Sequence, residues 1–177
     1  MVNGAGGGVG VFAVQLARAF GAEVTAVDST EQLDMLRSIG AAQVIDYTRE
    51  DFTRSGERYD FILDIAGRHS FSDCRRVLTR KGDYILIGHA HYGDSGGRWI
   101  GGIATILKLL VVSPFVSQGM GGFASVKKKE WLGGLTELIE AGKLTPVIDR
   151  TYPLSEVAEA IRYMEDGHAL GKVVITI

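Results

Sequence analysis

The segment GAGGGVG, residues 4–10, has a composition and spacing that suit phosphate binding. Gly4, Gly7 and Gly10 recur at every third position, and glycine lets a ligand approach the backbone closely. Apolar residues at helical spacing follow the segment, and Gly21 stands where a C-terminal helix cap would. The glycines therefore open an amphipathic helix, whose first N–H groups have no partner within the helix and attract a diphosphate.

The glycine spacing departs from the strict dinucleotide fingerprint. G-x-G-x-x-G fails in every frame, whereas Ala5, Gly7 and Gly10 fit the relaxed pattern A-x-G-x-x-G. Asp28 ends the next apolar run, near the roughly 20-residue spacing at which an acid binds the ribose hydroxyls of a dinucleotide. One alternative to ribose binding is that Asp28 is simply a solvated carboxylate at the end of a strand. A methyltransferase that uses S-adenosylmethionine is another, although the loop suits a diphosphate better.

The elements that must position these residues alternate between strands and helices. Amphipathic patterns separate the runs, and Ser29 with Gln32 forms a predicted capping box for the second helix. Such alternation indicates an α/β fold with a doubly wound, mostly parallel sheet, a Rossmann-type nucleotide-binding domain. Ligands bind at the carboxyl ends of the strands in this architecture, where the glycine loop falls. After the segment that precedes the loop, the predicted strands lie at residues 23–28, 43–47, 59–67 and 83–88.

Composition places the chain among globular proteins. It has 177 residues, 46% of them hydrophobic and 23% charged, and a formal net charge of −2 gives no reason to expect nucleic acid as a partner. The single cysteine, Cys74, lies on a predicted helical stripe and is expected to be buried. The first residues lack the pattern of a secretory signal, so we expect a cytoplasmic protein.

The most apolar segment is IGGIATILKLLVVSPFV, residues 100–116. Gly101, Gly102, Lys108 and Pro114 interrupt it, and it is shorter than the roughly 20 apolar residues that a membrane-spanning helix needs. We therefore expect no membrane span. A helix buried against the body of the protein and a wall of a substrate cleft or subunit contact are the two alternatives.

Along its whole length, the sequence resembles the cofactor-binding half of medium-chain dehydrogenases/reductases, in the quinone oxidoreductase-like branch of zinc-binding alcohol dehydrogenases. The resemblance implies NAD(P)-dependent hydride transfer between the cofactor and a small-molecule alcohol or aldehyde, enone or quinone. It also implies a dinucleotide-binding domain at residues 1–144, with its first strand largely missing, and a segment at 145–177 that belongs to an otherwise absent catalytic domain. The segments that carry the resemblance are VNGAGGGVGVFAVQLARAFGAEVTAV, LRSIGAAQVIDYTREDF, YDFILDIAG and AGKLTPVIDRTYPLSEVAEAIRYMEDGHALGKVVITI.

The resemblance also implies which residues bind the cofactor. Those expected to wrap the pyrophosphate are Gly7, Gly8, Val9 and Gly10. Those expected near the adenosine and its ribose are Asp28, Ser29 and Tyr47. Those expected to meet the nicotinamide ribose and ring are Ala66, Gly67, Gly88 and His89. For Gly67 and Gly88, an ordinary strand-ending turn is the alternative. We expect Gly7→Val or Gly10→Val to abolish cofactor binding and to leave folding largely intact.

Asp28 favours NAD(H) over NADP(H), because a carboxylate repels a 2′-phosphate and the stretch DSTEQ at 28–32 offers no basic residue. NADP(H) is still possible, since Arg37 or Tyr47 could reach a phosphate. The zinc ligands of the family lie in its catalytic domain, so we expect no metal site here. His89 and His91 form an H-x-H without a third ligand.

Only Met1 and Val2 precede Asn3, so we expect a truncated chain that is incomplete for catalysis. The apolar surface that such a chain would leave uncovered predicts a homo-oligomer. Catalytic residues cannot be assigned from the sequence. A non-catalytic dinucleotide-binding module or sensor is the alternative function.

Overall fold

The computed structural model describes residues 1–87, 119–122, 129–167 and 169–177. Gly88, His89, His91 and the apolar segment at 100–116 lie outside the described residues. The chain divides into two compact units. The first contains Met1–Asn3 and Arg49–Val126, and the second contains Gly4–Thr48 and Lys127–Ile177.

Strands and α-helices alternate along most of the described chain. The strands are β1 (Val2–Asn3), β2 (Thr25–Asp28), β3 (Gln43–Asp46), β4 (Tyr59–Asp64), β5 (Leu78–Leu86), β6 (Gly119–Gly122), β7 (Ile148–Pro153) and β8 (Lys172–Thr176). The helices are α1 (Gly10–Ala19), α2 (Leu33–Ser38), α3 (Phe71–Arg76), α4 (Lys129–Glu140) and α5 (Val157–Glu165). Short 3₁₀ helices lie at Thr30–Gln32, Phe52–Arg54 and Leu154–Glu156.

The first unit contains the parallel strand series β1-β4-β5-β6. Strand β1 is short, and its two residues are buried and pair with Leu63 and Asp64 of β4. The sequence pattern predicts one helical stripe that contains Phe71, Cys74, Val77 and Leu78. Helix α3 ends before this stripe does, because Leu78 begins β5 and pairs with Tyr59. Among the described residues of this unit, the buried apolar side chains are Met1, Val2, Phe52, Ile62, Cys74, Val77, Leu78 and Tyr84.

The second unit contains the parallel pair β2-β3 and a separate parallel pair β7-β8. The pairing of β2 with β3 runs from Thr25↔Gln43 to Asp28↔Asp46, so both strands end at the same edge. The series β1-β4-β5-β6 of the first unit and the pair β3-β2 of the second are each a segment of the strand order 3-2-1-4-5-6 that dinucleotide-binding folds share. The predicted mostly parallel α/β fold is confirmed.

Helix α1 begins at the end of the glycine segment and ends as predicted. Gly21 has φ +83°, which favours glycine, and its N–H donates to Arg18 O at 2.9 Å. A buried Gln15 connects α1 to the C-terminal part of the chain, because its side-chain amide donates to Thr145 O (2.9 Å) and accepts from Thr145 N (2.8 Å). The backbone of Thr145, at the start of the C-terminal segment, is thereby held against this helix.

The predicted capping box at Ser29 and Gln32 is wrong. Ser29 precedes the 3₁₀ helix at Thr30–Gln32, and its side chain makes no capping hydrogen bond. The Gln32 side chain is buried instead, with Nε2 at 3.4 Å from Ala169 O. Tertiary burial of the glutamine therefore takes the place of local capping. None of the helices in the described ranges combines the length and apolar character that crossing a bilayer requires.

Candidate dinucleotide-binding site

The glycine loop between β1 and α1 is fastened to the neighbouring strand β2. The N–H groups of Gly4 and Ala5 both donate to Val27 O, at 3.0 and 3.2 Å. Gly4 has φ +81°, a conformation that L side chains rarely adopt. The first helical bond of α1 follows directly, from Val11 N to Gly7 O at 3.1 Å. The loop is therefore a fixed backbone turn at the start of the helix.

Asp28, at the end of β2, lies against this loop. Its Oδ2 accepts a hydrogen bond from Gly6 N at 2.7 Å, and its Oδ1 accepts one from Ser29 N at 2.8 Å. The residue is half-buried. A carboxylate has about four acceptor positions, so each oxygen can still accept a hydrogen bond from a ribose hydroxyl. The structure thus brings the predicted acid and the glycine loop together.

Two further predicted residues lie next to Asp28. Ser29 follows it and donates its N–H to the carboxylate. Tyr47 follows β3, the strand paired with β2, and its N–H donates to Asp28 O at 3.1 Å. The Tyr47 residue is 40% exposed, so its ring is accessible at the same strand edge. The adenosine-side residues predicted from the sequence therefore form one cluster in the second unit.

The glycines of the loop differ in what a side chain would meet. A Cβ placed on Gly10 would lie 2.5 Å from both the carbonyl carbon and the oxygen of Ala5. A Cβ on Gly7 would have only Gly4 O near it, at 4.0 Å. Gly10 is therefore required for packing of the helix against the loop, and Gly7 faces open space. The expectation that Gly10→Val leaves folding intact is therefore wrong. The space around Gly7 is consistent with the same expectation for Gly7→Val.

Neither the cap residue nor the first turn of α1 supplies a side chain that compensates the N-terminus of this helix. Val9 precedes the helix without a side-chain capping bond, and the first turn contains no acidic residue. The unpaired N–H groups and the positive end of the helix dipole therefore favour an anion from outside. With the open space at Gly7, this cradle fits a diphosphate.

Two side chains that the sequence patterns did not assign to the loop also lie against it. A Cβ on Gly8 would lie 3.0 Å from the ammonium nitrogen of Lys172, which begins β8. Gln32 packs against Gly6, and its Oε1 is buried without a hydrogen-bond partner among the described residues. The sequence gives no signal for Lys172 at this site, because it lies near the opposite end of the chain from the loop.

In the first unit, Ala66 and Gly67 form the turn after β4. Ala66 N donates to Asn3 O at 3.3 Å, and Gly67 N donates to Asp64 Oδ1 at 2.8 Å. Gly67 has φ +59°, a conformation that favours glycine in the turn itself. This geometry agrees with the alternative that Gly67 belongs to an ordinary strand-ending turn. The backbone of this turn is held by Asp64 and β1.

Asp64 is fully buried and accepts hydrogen bonds from three directions. Besides Gly67 N, the donors are Asn3 Nδ2 and the hydroxyl of Tyr84, each at 2.8 Å. Burial and the neighbouring Asp64 charge raise the pKa of Tyr84 far above its usual value, so the phenol remains a donor. The sequence gives no role for Asp64. In the structure, its carboxylate holds the Asn3 amide, the Gly67 backbone and the Tyr84 hydroxyl in place.

Cys74 is buried beside this network, as predicted. Burial raises the pKa of its thiol to about 12, and the Asp64 charge acts in the same direction. The thiol is therefore neutral and behaves as a small apolar group.

Parallel α/β units with a glycine loop tied to a strand-end aspartate define the Rossmann-like class of nucleotide-binding folds. Within that class, the chain belongs to the zinc-binding dehydrogenase family, whose family model matches residues 39–175.

Similar proteins agree with this assignment. The mouse protein named "NAD(P)H oxidoreductase RTN4IP1, mitochondrial" is 35% identical over 190 residues, covering 100% of this chain and 47% of the relative. The Arabidopsis thaliana "NADPH-dependent alkenal/one oxidoreductase, chloroplastic" is 34% identical, covering 99% of this chain and 39% of the relative. The solved quinone oxidoreductase of Coxiella burnetii has a TM-score of 0.78 at 27% identity, covering 99% of this chain and 51% of that chain. The chain thus spans about half the length, or less, of these relatives.

The described residues do not fit the zinc ion that the family description mentions. Among them, no group of three or more His, Cys, Asp or Glu side chains could hold a metal ion. A protein zinc site needs three or four such ligands.

Proposed function

We propose that this chain binds NAD(H) or NADP(H) and supplies the cofactor-binding part of an oxidoreductase. The reaction would transfer a hydride between the nicotinamide and a small-molecule alcohol or aldehyde, enone or quinone. The observation that carries the proposal is the 2.7 Å hydrogen bond from Gly6 N to Asp28 Oδ2, which joins a diphosphate cradle to a ribose acceptor. Family membership and the oxidoreductase names of the relatives support it.

Each proposed contact follows from the chemistry of the residue. Backbone N–H groups at Gly7, Gly8, Val9 and Gly10 bind the diphosphate, and Asp28 accepts hydrogen bonds from the ribose hydroxyls. Ser29 and Tyr47 flank the adenosine. Ala66 and Gly67 are proposed, from the family resemblance, to contact the nicotinamide ribose. Gly88 and His89 stay predictions outside the described residues.

When bound, the nicotinamide supplies the hydride chemistry. The residues of this chain contribute binding and orientation. The fixed loop binds the diphosphate without a change of backbone conformation, and Asp28 orients the adenosine ribose.

We further propose a preference for NAD(H). A 2′-phosphate placed against Asp28 would put two negative charges in contact, which costs at least about 1.4 kcal/mol, or about tenfold in affinity. The Gly6 N–H keeps the carboxylate in place, so it cannot turn away without losing that bond.

The loop assignment is tested with a matched pair of glycine variants. Calorimetry should show NADH binding to the wild type and at least about tenfold weaker binding to Gly7→Ala, because the methyl group enters the space the diphosphate needs. Gly133→Ala, another glycine with open space around it, should bind NADH normally. Equal affinity of the Gly7→Ala and Gly133→Ala variants would contradict the assignment.

Gly10→Ala separates packing from binding. Its methyl group would meet backbone atoms, so we expect a loss of about 3 kcal/mol, the upper part of the range for overpacking, and a melting temperature lower by about 6–12 °C. Gly7→Ala should melt like the wild type.

Two further measurements test the kind of function. Binding of S-adenosylmethionine in place of NADH would support a methyltransferase instead. Oxidation of NADH with quinones, enones or aldehydes tests the proposed hydride transfer.

A further inference from the structure

Asp46 ends strand β3 and lies beside Asp28, because the two residues are register partners in the β2-β3 pair. Only 5% of Asp46 is exposed. Its Oδ2 accepts a hydrogen bond from the hydroxyl of Thr30, and its Oδ1 accepts from the N–H (2.9 Å) and the hydroxyl (2.6 Å) of Thr48. One carboxylate therefore connects the segment that follows β2 to the segment that follows β3.

Thr30 lies two residues after Asp28, the proposed ribose acceptor. Its backbone is fixed because it begins a 3₁₀ helix, in which Gln32 N donates to Ser29 O at 3.0 Å. Thr30 is exposed, whereas Asp46 is buried. Thr30 therefore combines an accessible position near Asp28 with a hydroxyl whose partner lies inside the protein.

The carboxylate of Asp46 decides which way the Thr30 hydroxyl acts. A carboxylate accepts hydrogen bonds, and a hydroxyl has one hydrogen to donate and two lone pairs that accept. Because Thr30 gives its hydrogen to Asp46, its oxygen can only accept from a further group. A ribose hydroxyl can donate to such an oxygen. A phosphate group offers acceptor oxygens and negative charge, so it gains no hydrogen bond there.

We propose that Asp46 is a positioning residue that makes the cofactor site favour a free ribose 2′-hydroxyl over a 2′-phosphate. It acts through Thr30, which it keeps as an acceptor near Asp28, and it does not itself contact the cofactor. The inference rests on the proposed function. It adds a second element of selection to the charge of Asp28, namely the direction of one hydrogen bond, which leaves the competing ligand without a donor.

The test reverses this hydrogen bond with Asp46→Asn. The new side-chain carbonyl can still accept from Thr48 N, which turns the amide N–H groups towards Thr30 and frees the hydrogen of its hydroxyl. Calorimetry with the 177-residue chain should show NADPH binding about tenfold tighter than in the wild type, the gain from a hydrogen bond to a charged group. NADH binding should be nearly unchanged.

Thr30→Val separates the hydrogen bond from the charge of Asp46, because it keeps the branched shape and removes the hydroxyl. In the Thr30→Val background, Asp46→Asn should give no gain for NADPH. Thr30→Val alone should weaken NADH about fivefold, the loss of a hydrogen bond between neutral groups, and leave NADPH unchanged. This second variant tests the inference even if Asp46→Asn does not fold.

Thr48→Val is the matched control, because it removes a hydroxyl that donates to the other oxygen of the same carboxylate. Its ratio of NADPH affinity to NADH affinity should equal that of the wild type. Melting temperatures of all variants show whether each is folded during calorimetry.

The outcomes separate this inference from the proposed function. A gain for NADPH that persists without the Thr30 hydroxyl would show that only the charge of Asp46 matters, and would refute the inference. So would an equal loss of both cofactors in Asp46→Asn or Thr30→Val, an unchanged ratio in both, or the same change of ratio in Thr48→Val. In each of these cases, NADH binding by the wild type leaves the function standing. A wild type that binds neither cofactor overturns both proposals.

Discussion

Replacing Asp64 with alanine should destabilise the first unit more than any other single truncation of its polar network. The carboxylate is fully buried and accepts from Asn3 Nδ2, Gly67 N and the Tyr84 hydroxyl, each at 2.8 Å. Alanine leaves these donors without their acceptor and opens a cavity at the end of β4. The perturbation therefore acts on β1, the turn at Gly67 and β5 together.

The magnitude follows from the number and burial of the donors. A buried donor without a partner costs about 1–3 kcal/mol. The bonds from Asn3 and Tyr84 are buried, whereas that from Gly67 N is only partly so, and water can replace it. We therefore expect a loss of about 3–5 kcal/mol, similar to breaking a buried polar pair, and a melting temperature lower by about 6–20 °C.

Two conservative variants make the measurement specific. Tyr84→Phe removes one donor and should cost about 1–3 kcal/mol. Asp64→Asn keeps a carbonyl oxygen for Asn3 and Gly67 and turns its amide towards the Tyr84 oxygen, which can accept, so its cost should also be smaller than that of alanine. Urea unfolding followed by circular dichroism gives the free energies. If Asp64→Ala costs no more than Tyr84→Phe, the shared-acceptor explanation is refuted.

Two further predictions concern single residues. Asp28→Asn removes the charge and keeps an acceptor for Gly6 N, so the NADPH-to-NADH affinity ratio should rise about tenfold in calorimetry, and an unchanged ratio would show that Asp28 does not select the cofactor. Because the folded-state pKa of Cys74 is raised from 9.0 to about 12, iodoacetamide should modify the native thiol far more slowly than the urea-unfolded one at pH 8. The unfolded thiol loses its proton first, so stability should fall as the pH rises from about 9 to 12, and Cys74→Ala should reduce that fall in urea unfolding.

The sequence by itself was sufficient for the fold class and for the association of the glycine loop with Asp28, the centre of the proposed adenosine-side site. Apolar runs separated by amphipathic helices predict a parallel α/β sheet because each element must bury one face locally. The glycine loop and Asp28 were found from spacing, since a loop-strand unit has a nearly constant length in this fold. The resemblance to zinc-binding dehydrogenases, based on motifs along the whole chain, is confirmed by the family match.

Only the tertiary structure decided how individual residues in these motifs act. Gly7 and Gly10 are equivalent in the pattern, yet one faces open space and the other meets the backbone of Ala5. Gln32 fits a capping box in sequence, yet packs against Gly6 because the fold buries its side chain there.

The contacts of Lys172 with the loop and of Asp64 with Asn3 join residues that are distant along the chain. Periodicity describes the neighbours of a residue within one helix or strand, and such a pattern carries no information on which distant side chain a fold places beside it. Steric clashes and hydrogen bonds between distant segments depend on the packed backbone, so they became visible only when the chain was folded.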